Sequence, residues 1–174
     1  MRYAIFPTAW GFFGIAGDRH GICRTCLPLR DRQTVYRELR RGLQDIKDDP
    51  ASFAKIQQQI VAYFEDHKVG FNSDLPLIPD VTDGFAGQVL EACRKVGFGC
   101  TVTYGELAIR IGRPGAARAV GSALGRNPTP LLIPCHRVIR SDGGLGGFSA
   151  PGGTAFKQRL LLYERRGSGA GQQD

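Results

Sequence analysis

The reactive potential of this chain is concentrated in Leu131-Leu132-Ile133-Pro134-Cys135-His136-Arg137-Val138-Ile139. A thiol is a poor nucleophile and its thiolate a strong one. A cysteine therefore becomes reactive where neighbours accept its proton or stabilise its charge. His136 follows Cys135 directly and carries the side chain best matched to proton exchange near neutral pH. Arg137 adds a cation. The apolar run before Pro134 reads as a buried strand holding the thiol at its end. Adjacency alone favours a core cysteine at a strand end beside an exposed histidine, since free cysteine is among the most buried residue types. A metal centre is disfavoured, because neighbouring ligands rarely converge on one ion. His20, Cys23 and Cys26 form the other candidate ligand set. Cys23 and Cys26 fall on a predicted strand, where residues three apart point to opposite faces, and no metal is assigned to the set. Cys93 lies on an apolar helical stripe and reads as core, and Cys100 reads as a loop residue.

The elements upstream of the thiol have the pattern of a nucleic-acid-binding unit. Phe85, Val89, Leu90, Cys93 and Val96 share one helical stripe, which Gly97-Phe98-Gly99 ends. Thr103 and Glu106, three apart, predict a capping box opening a short helix through Leu107, Ala108 and Ile111. Gly112-Arg113-Pro114-Gly115 is a turn, and Ala116 to Leu124 form a second helix rich in small residues. Two short helices across such a turn suggest a helix-turn-helix whose small side chains allow close approach to a duplex, with Arg118 projecting. Residues 94–140 hold Arg94, Lys95, Arg110, Arg113, Arg118, Arg126, Arg137 and Arg140 against one acid, Glu106. Residues 1–83 balance at eleven basic and eleven acidic groups, so the net charge of +7 is a local property. On charge alone, such a confined basic zone fits a nucleic-acid binder and a solubilising surface equally.

The N-terminal part reads as short strands over residues 3–29, broken at Ala9-Trp10-Gly11 and at 17–21. Two amphipathic helices follow, one carrying Val35, Leu39, Leu43 and Ile46, the other Phe53, Ile56, Ile60 and Phe64. Residues 75–80, with two prolines, read as a linker. The whole is an α/β chain. Residues 1–79 form a small sheet with helices, 80–166 a mainly helical domain with the helix-turn-helix and the thiol, and 167–174 a disordered tail. No apolar run is long enough for a membrane span, and the N-terminus lacks a signal peptide's apolar stretch. Five cysteines, an odd number without the spacing of a disulfide scaffold, fit free thiols in a reducing compartment, the cytoplasm or nucleus.

Pro134-Cys135-His136-Arg137-Val138 resembles the active-site signature of the O6-alkylguanine-DNA alkyltransferases, also called methylated-DNA–protein-cysteine methyltransferases. The likeness runs from about Phe85 to Glu164. It takes in Thr103-Tyr104-Gly105-Glu106-Leu107-Ala108, Ala117-Arg118-Ala119-Val120-Gly121, Asn127-Pro128 and the Gly-rich loop to Phe148-Ser149. It implies a ribonuclease H-like N-terminal sheet and direct reversal of O6-alkylguanine in double-stranded DNA, with O4-alkylthymine left open. The alkyl group would pass once and irreversibly to Cys135, with no cofactor, in a protein expected to be a monomer. The resemblance also implies the roles of individual residues. His136, through a water and supported by Glu164, removes the thiol proton, and Asn127 braces the thiol segment. Tyr104 helps extrude the nucleotide and protonates the departing guanine, while Arg118 fills the vacated stack. Ala117 and Gly121 lie on the helix that faces DNA. Pro130, Val138, Phe148, Ser149 and the main chain of Cys135 line the guanine pocket.

The chain departs from the family pattern at Phe148, where tyrosine is common, and in the longer Ala150-Pro151-Gly152-Gly153 rim. It also departs at Gly97-Phe98-Gly99, where a proline-containing turn is usual. Two other readings stay open: a non-catalytic binder of alkylated DNA, which the presence of Cys135 argues against, and a helix-turn-helix regulator.

Overall fold

The computed structural model describes residues 1–65, 69–71, 76–77 and 84–167 and divides into two compact units, Met1–Ile78 and Pro79–Asp174. The tail 168–174 and most of the predicted linker lie outside the described residues.

In the first unit, β1 (Arg2–Thr8), β2 (Gly11–Asp18) and β3 (Gly21–Leu29) form an antiparallel meander. Helix α1 (Arg32–Arg40) returns the chain to a short β4 (Lys47–Asp48) that pairs parallel with β1, giving the order β3-β2-β1-β4. Helix α2 (Ala54–Phe64) follows a 3₁₀ turn at Pro50–Phe53. Asp31 caps α1 by accepting from the backbone N–H groups of Gln33 and Thr34, which satisfies two orphan donors of the first turn. The first predicted helix is shorter than its apolar pattern. α1 stops at Arg40 and Gly42 takes a left-handed φ of 74°, yet Leu43 still packs on the cluster of Ile5, Ala16, Cys26, Val35 and Leu39.

The strand expected at Cys23–Cys26 carries a bulge. Pairing passes from Gly17↔Ile22 to Ala16↔Arg24 and skips Cys23. One extra residue reverses the alternation, so both cysteines pack on the same cluster instead of facing opposite sides. His20 is exposed in the β2–β3 turn, its ring nitrogen accepting from Arg19. Among the described residues, no three His, Cys, Asp or Glu side chains converge as a metal site, and no helix is long and apolar enough to cross a membrane.

The second unit contains α3 (Gly84–Arg94), β5 (Val102–Thr103), α4 (Tyr104–Arg110), α5 (Ala117–Leu124), β6 (Val138–Ile139) and α6 (Gly153–Gly167). The capping box is present: Thr103 Oγ1 accepts from Glu106 N at 3.1 Å and Glu106 Oε2 from Thr103 N at 2.6 Å. Helices α4 and α5 join through Gly112 and Gly115, both with positive φ. α3 packs on both of them.

The predicted strand at Leu131–Ile133 does not form. Leu131 has φ 78°, a left-handed value for a buried non-glycine residue, and the segment turns there. The extended run fails because Pro130 and Pro134 offer no ladder donors, and because the Ile133 carbonyl is taken by Asn127 Nδ2 at 2.8 Å. Cys135–Arg137 is one 3₁₀ turn, after which β6 pairs with β5 through Val102↔Val138 and Thr103↔Ile139.

Candidate active site

This two-stranded pairing brings the chemistry together. β5 runs into Thr103, the cap of α4, so Tyr104 is placed one step beyond a strand hydrogen-bonded to the segment after Cys135. Tyr104 and Cys135 both line a cavity of about 670 Å³, together with Ala117, Arg118 and Gly121 of α5 and Phe148 and Ser149 of the Gly-rich loop. The loop comes close because Gly146, at φ 69°, lies against the phenol: a Cβ there would stand 2.5 Å from the Tyr104 hydroxyl. Glycine also removes the conformational strain a side chain would meet at that φ. Pro130 and Val138 are not among the cavity's wall residues. Val138 is fully buried, and its carbonyl accepts from Lys157 Nζ at 2.6 Å.

Asn127 couples the two motifs. It follows α5 directly, its backbone N–H donating to Leu124 O at 3.1 Å. Its side chain accepts from Thr129 N at 3.0 Å and donates to Ile133 O, and it favours the ionised form of the Cys135 thiol. The turn carrying the nucleophile is thus tied to the end of the second helix of the helix-turn-helix.

Behind the thiol lies a set of buried charges. His136 Nε2 and Glu164 Oε1 are 2.8 Å apart. Arg137 donates to the same carboxylate from Nε (2.9 Å to Oε2) and Nη2 (2.8 Å to Oε1). Gly99 N donates to Oε2 at 3.2 Å. Burial raises the Glu164 proton affinity, but the His136 bond and the Arg137 fork outweigh it and hold the carboxyl far below the ordinary range. An ionised carboxylate can only accept, so the proton of this pair sits on His136 Nε2. His136 Nδ1 is then the lone-pair nitrogen, and it is buried with no partner among the described residues.

Burial, joined by the Arg137 and Lys157 cations, lowers the His136 pKa against the opposing pull of Glu164, so the ring is neutral at neutral pH. Burial pushes the Cys135 thiol up, and Asn127, Lys157 and the local backbone N–H groups only partly oppose this. The expected lowering of the thiol pKa is therefore outweighed by desolvation. The thiol rests protonated and ionises when a base takes its proton.

Two participants escaped the sequence reading. Arg137 reads from the sequence as a cation of the basic zone and of the thiol segment, yet it is only 4% exposed and binds the Glu164 carboxylate. Lys157 is fully buried, donating to Val138 O and lying 3.5 Å from the Tyr104 hydroxyl. Lys157, Leu160 and Glu164 are the buried residues of α6. Two charged residues on a helix's apolar stripe were the available signal. The exposed members of the basic zone are Lys95, Arg110, Arg113, Arg118, Arg126 and Arg140.

Together these features set a buried thiol on the wall of a cavity shared with α4 and α5, beside a neutral imidazole. Residues 84–166 match the family model described as the DNA-binding domain of 6-O-methylguanine DNA methyltransferase. A methylated-DNA–protein-cysteine methyltransferase of Mycolicibacterium paratuberculosis is 43% identical, over 82% of this chain and 81% of its own. That of Mus musculus is 43% identical, over 94% and 81%. The structure of Mycobacterium tuberculosis OGT in complex with DNA superposes with a TM-score of 0.78 at 32% identity, covering 96% of this chain and 94% of that one. The chain belongs to the methylated-DNA–protein-cysteine methyltransferase family.

Proposed function

We propose that this chain repairs alkylated double-stranded DNA by transferring the alkyl group from O6 of guanine to Cys135, once per molecule. The observation that carries this reading is the placement of Cys135 on a cavity wall shared with α5, next to a neutral His136 whose Nδ1 lone pair has no donor among the described residues. The target carbon is buried in a stacked duplex, so the nucleotide must be flipped out at a cost of a few kcal/mol. Arg118, exposed on α5 and lining the cavity, supports this reading as the side chain that occupies the emptied position. Ala117 and Gly121 keep that helix face low enough for the duplex to approach.

His136 then takes the thiol proton at Nδ1 through a water while Glu164 stabilises the imidazolium through Nε2. The sulfur attacks the alkyl carbon, a carbon–sulfur bond forms, and the carbon–O6 bond breaks. Tyr104 supplies a proton to the departing guanine and regains one from the protonated site. Burial raises the Tyr104 pKa, and the negative charge forming at Cys135 raises it further, so the phenol is still a proton carrier at neutral pH. Holding thiol and carbon in a near-attack pose lowers the barrier by up to roughly 7–11 kcal/mol. The product is a thioether with no hydrolysable bond, which makes the reaction stoichiometric.

The test is intact-protein mass after incubation with an oligonucleotide carrying one O6-methylguanine, followed by peptide mapping. One methyl per protein, located on Cys135 and absent from Cys135→Ala while duplex binding persists, is the expected result. Lesion binding without any mass change would make the protein a recognition factor.

A further inference from the structure

We infer that Arg137 is a positioning residue for the proton acceptor: anchored on the Val96–Gly99 turn, its guanidinium locks the Glu164 carboxylate so that His136 keeps its proton on Nε2 and its lone pair on Nδ1. This rests on the repair reading above and adds to it the residue that sets the base's tautomer and its working pH range.

The geometry is a fork with a backstop. Nε and Nη2 of Arg137 engage different oxygens of Glu164, which fixes the carboxylate plane. Gly99 N–H holds Oε2 from the other side. Oε1 is left facing His136 Nε2. The guanidinium is itself restrained: Nη1 donates to Val96 O at 2.6 Å, and its carbon lies 5.9 Å from the centre of the Phe98 ring. Phe98 is backed by the end of α6, where a Cβ on Gly167 would stand 3.2 Å from the ring. The segment that departs from the family's proline-containing turn is thus the wall on which this clamp rests. Without the fork, the carboxylate could rotate, or take the proton from the ring and leave His136 in the wrong tautomer.

The charges facing His136 are Glu164 and Lys157 from α6 and Arg137 from its own turn. Arg137 opposes protonation of the ring and Glu164 favours it. Deleting the guanidinium therefore raises the His136 pKa. Because the base must be neutral to accept the thiol proton, the acid limb of the transfer rate moves to higher pH.

The experiment is a ¹⁵N-histidine NMR titration of the intact protein, run beside single-turnover methyl transfer from an O6-methylguanine oligonucleotide as a function of pH. Wild type, Arg137→Met and Arg137→Lys are compared. In wild type, His136 shows a protonated Nε2 and an unprotonated Nδ1 and titrates below the ordinary histidine range. Arg137→Met shifts that titration and the acid limb of the rate upward together, by about one pH unit. Arg137→Lys keeps the charge and the titration but loses the fork, and transfer slows by roughly tenfold. A merely structural role would lower the melting temperature of Arg137→Met and leave titration and limb where they were, overturning the inference. Should Arg137→Met not fold, Arg137→Lys decides: wild-type rate with the wild-type tautomer would show the fork to be dispensable. If wild type transfers no methyl group, the repair reading fails, while the titrations still decide whether Arg137 sets the tautomer.

Discussion

The two units hide different things. In Met1–Ile78, the interior is hydrocarbon and aromatic: Phe13, Ile15, Leu27, Leu39, Ile60 and Tyr63 are all but inaccessible, and Thr25 is the one polar side chain among the buried residues described there. Its ion pairs, Arg2–Asp49, Arg32–Asp48 and Arg41–Glu38, stand in water, where such pairs contribute little. In Pro79–Asp174, His136, Arg137, Lys157 and Glu164 are all buried. Burying charge opposes folding unless partners compensate for the lost hydration. Glu164 and Arg137 are compensated by each other. Lys157 has a carbonyl and a phenol, and no carboxylate lies within ion-pair distance among the described residues. The first unit is organised for stability, and the second gives up some of its own to hold a protonated thiol beside a neutral base.

The largest effect that would break this contrast comes from Glu164→Gln. Removing the carboxylate charge leaves the Arg137 guanidinium buried without its counter-ion, a change that typically costs about 3–5 kcal/mol. It also removes the anion that stabilises protonated His136, so single-turnover transfer falls by roughly 10²-fold or more. Unfolding monitored by calorimetry and transfer monitored by quench flow should both respond. A variant with wild-type transfer would mean that Glu164 is only structural.

A core truncation in the first unit should separate stability from chemistry. Leu39 is fully buried against Ile5, Ala16, Cys26 and Val35. Leu39→Ala should cost about 2–5 kcal/mol, through lost transfer energy and the cavity left behind. Transfer per folded molecule should stay at the wild-type rate. A fall in that rate below the unfolding transition would show that the first unit takes part in the chemistry, and the contrast would collapse.

What could be read from the sequence divides along the same line. The capping box at Thr103 and Glu106, the stripe of α3 and the strands of the meander are local signals, set by residues a few positions apart, and they form as read. Three features depended on pairings that composition and alternation do not specify. Leu131–Ile133 has a strand's composition, but Asn127 takes the Ile133 carbonyl and Thr129 O takes the Ile133 N–H. Cys23 and Cys26 were placed by simple alternation, which the bulge opposite Ala16 and Gly17 reverses. Arg137 reads as a cation for the thiol and the basic zone, but its partner is Glu164, delivered by α6. Short-range pattern carries no information about which charge will be met by a counter-ion from a later helix.

The smallest effect is the sharpest test of the contrast, because its sign is opposite to that of most core substitutions. Lys157 is inaccessible, and burial lowers its pKa below the ordinary lysine value, with the thiolates of Cys135 and Cys93 opposing the shift. A cationic group whose folded pKa lies below its unfolded one is bound by fewer protons in the native state between the two values. Stability therefore rises as pH climbs through the folded pKa, and the penalty for burying the ammonium is fully present at neutral pH. Lys157→Met keeps the unbranched shape and removes the charge, at the expense of the donor to Val138 O. It should raise stability at pH 7, by about 1 kcal/mol on the scale of buried charge-to-apolar replacements. The gain should shrink as pH rises toward the unfolded lysine pKa. Cys26 and Cys93, which burial drives upward, titrate in both proteins and largely cancel in the difference. Transfer should slow in the same variant, because Lys157 is one of the groups that favours the Cys135 thiolate. Denaturant unfolding of both proteins across neutral to alkaline pH gives the difference directly. A variant more stable and less active at neutral pH is what an interior shaped by chemistry predicts. One that is less stable at every pH would mean that the ammonium holds Val138 and Tyr104 in place and is itself part of the packing.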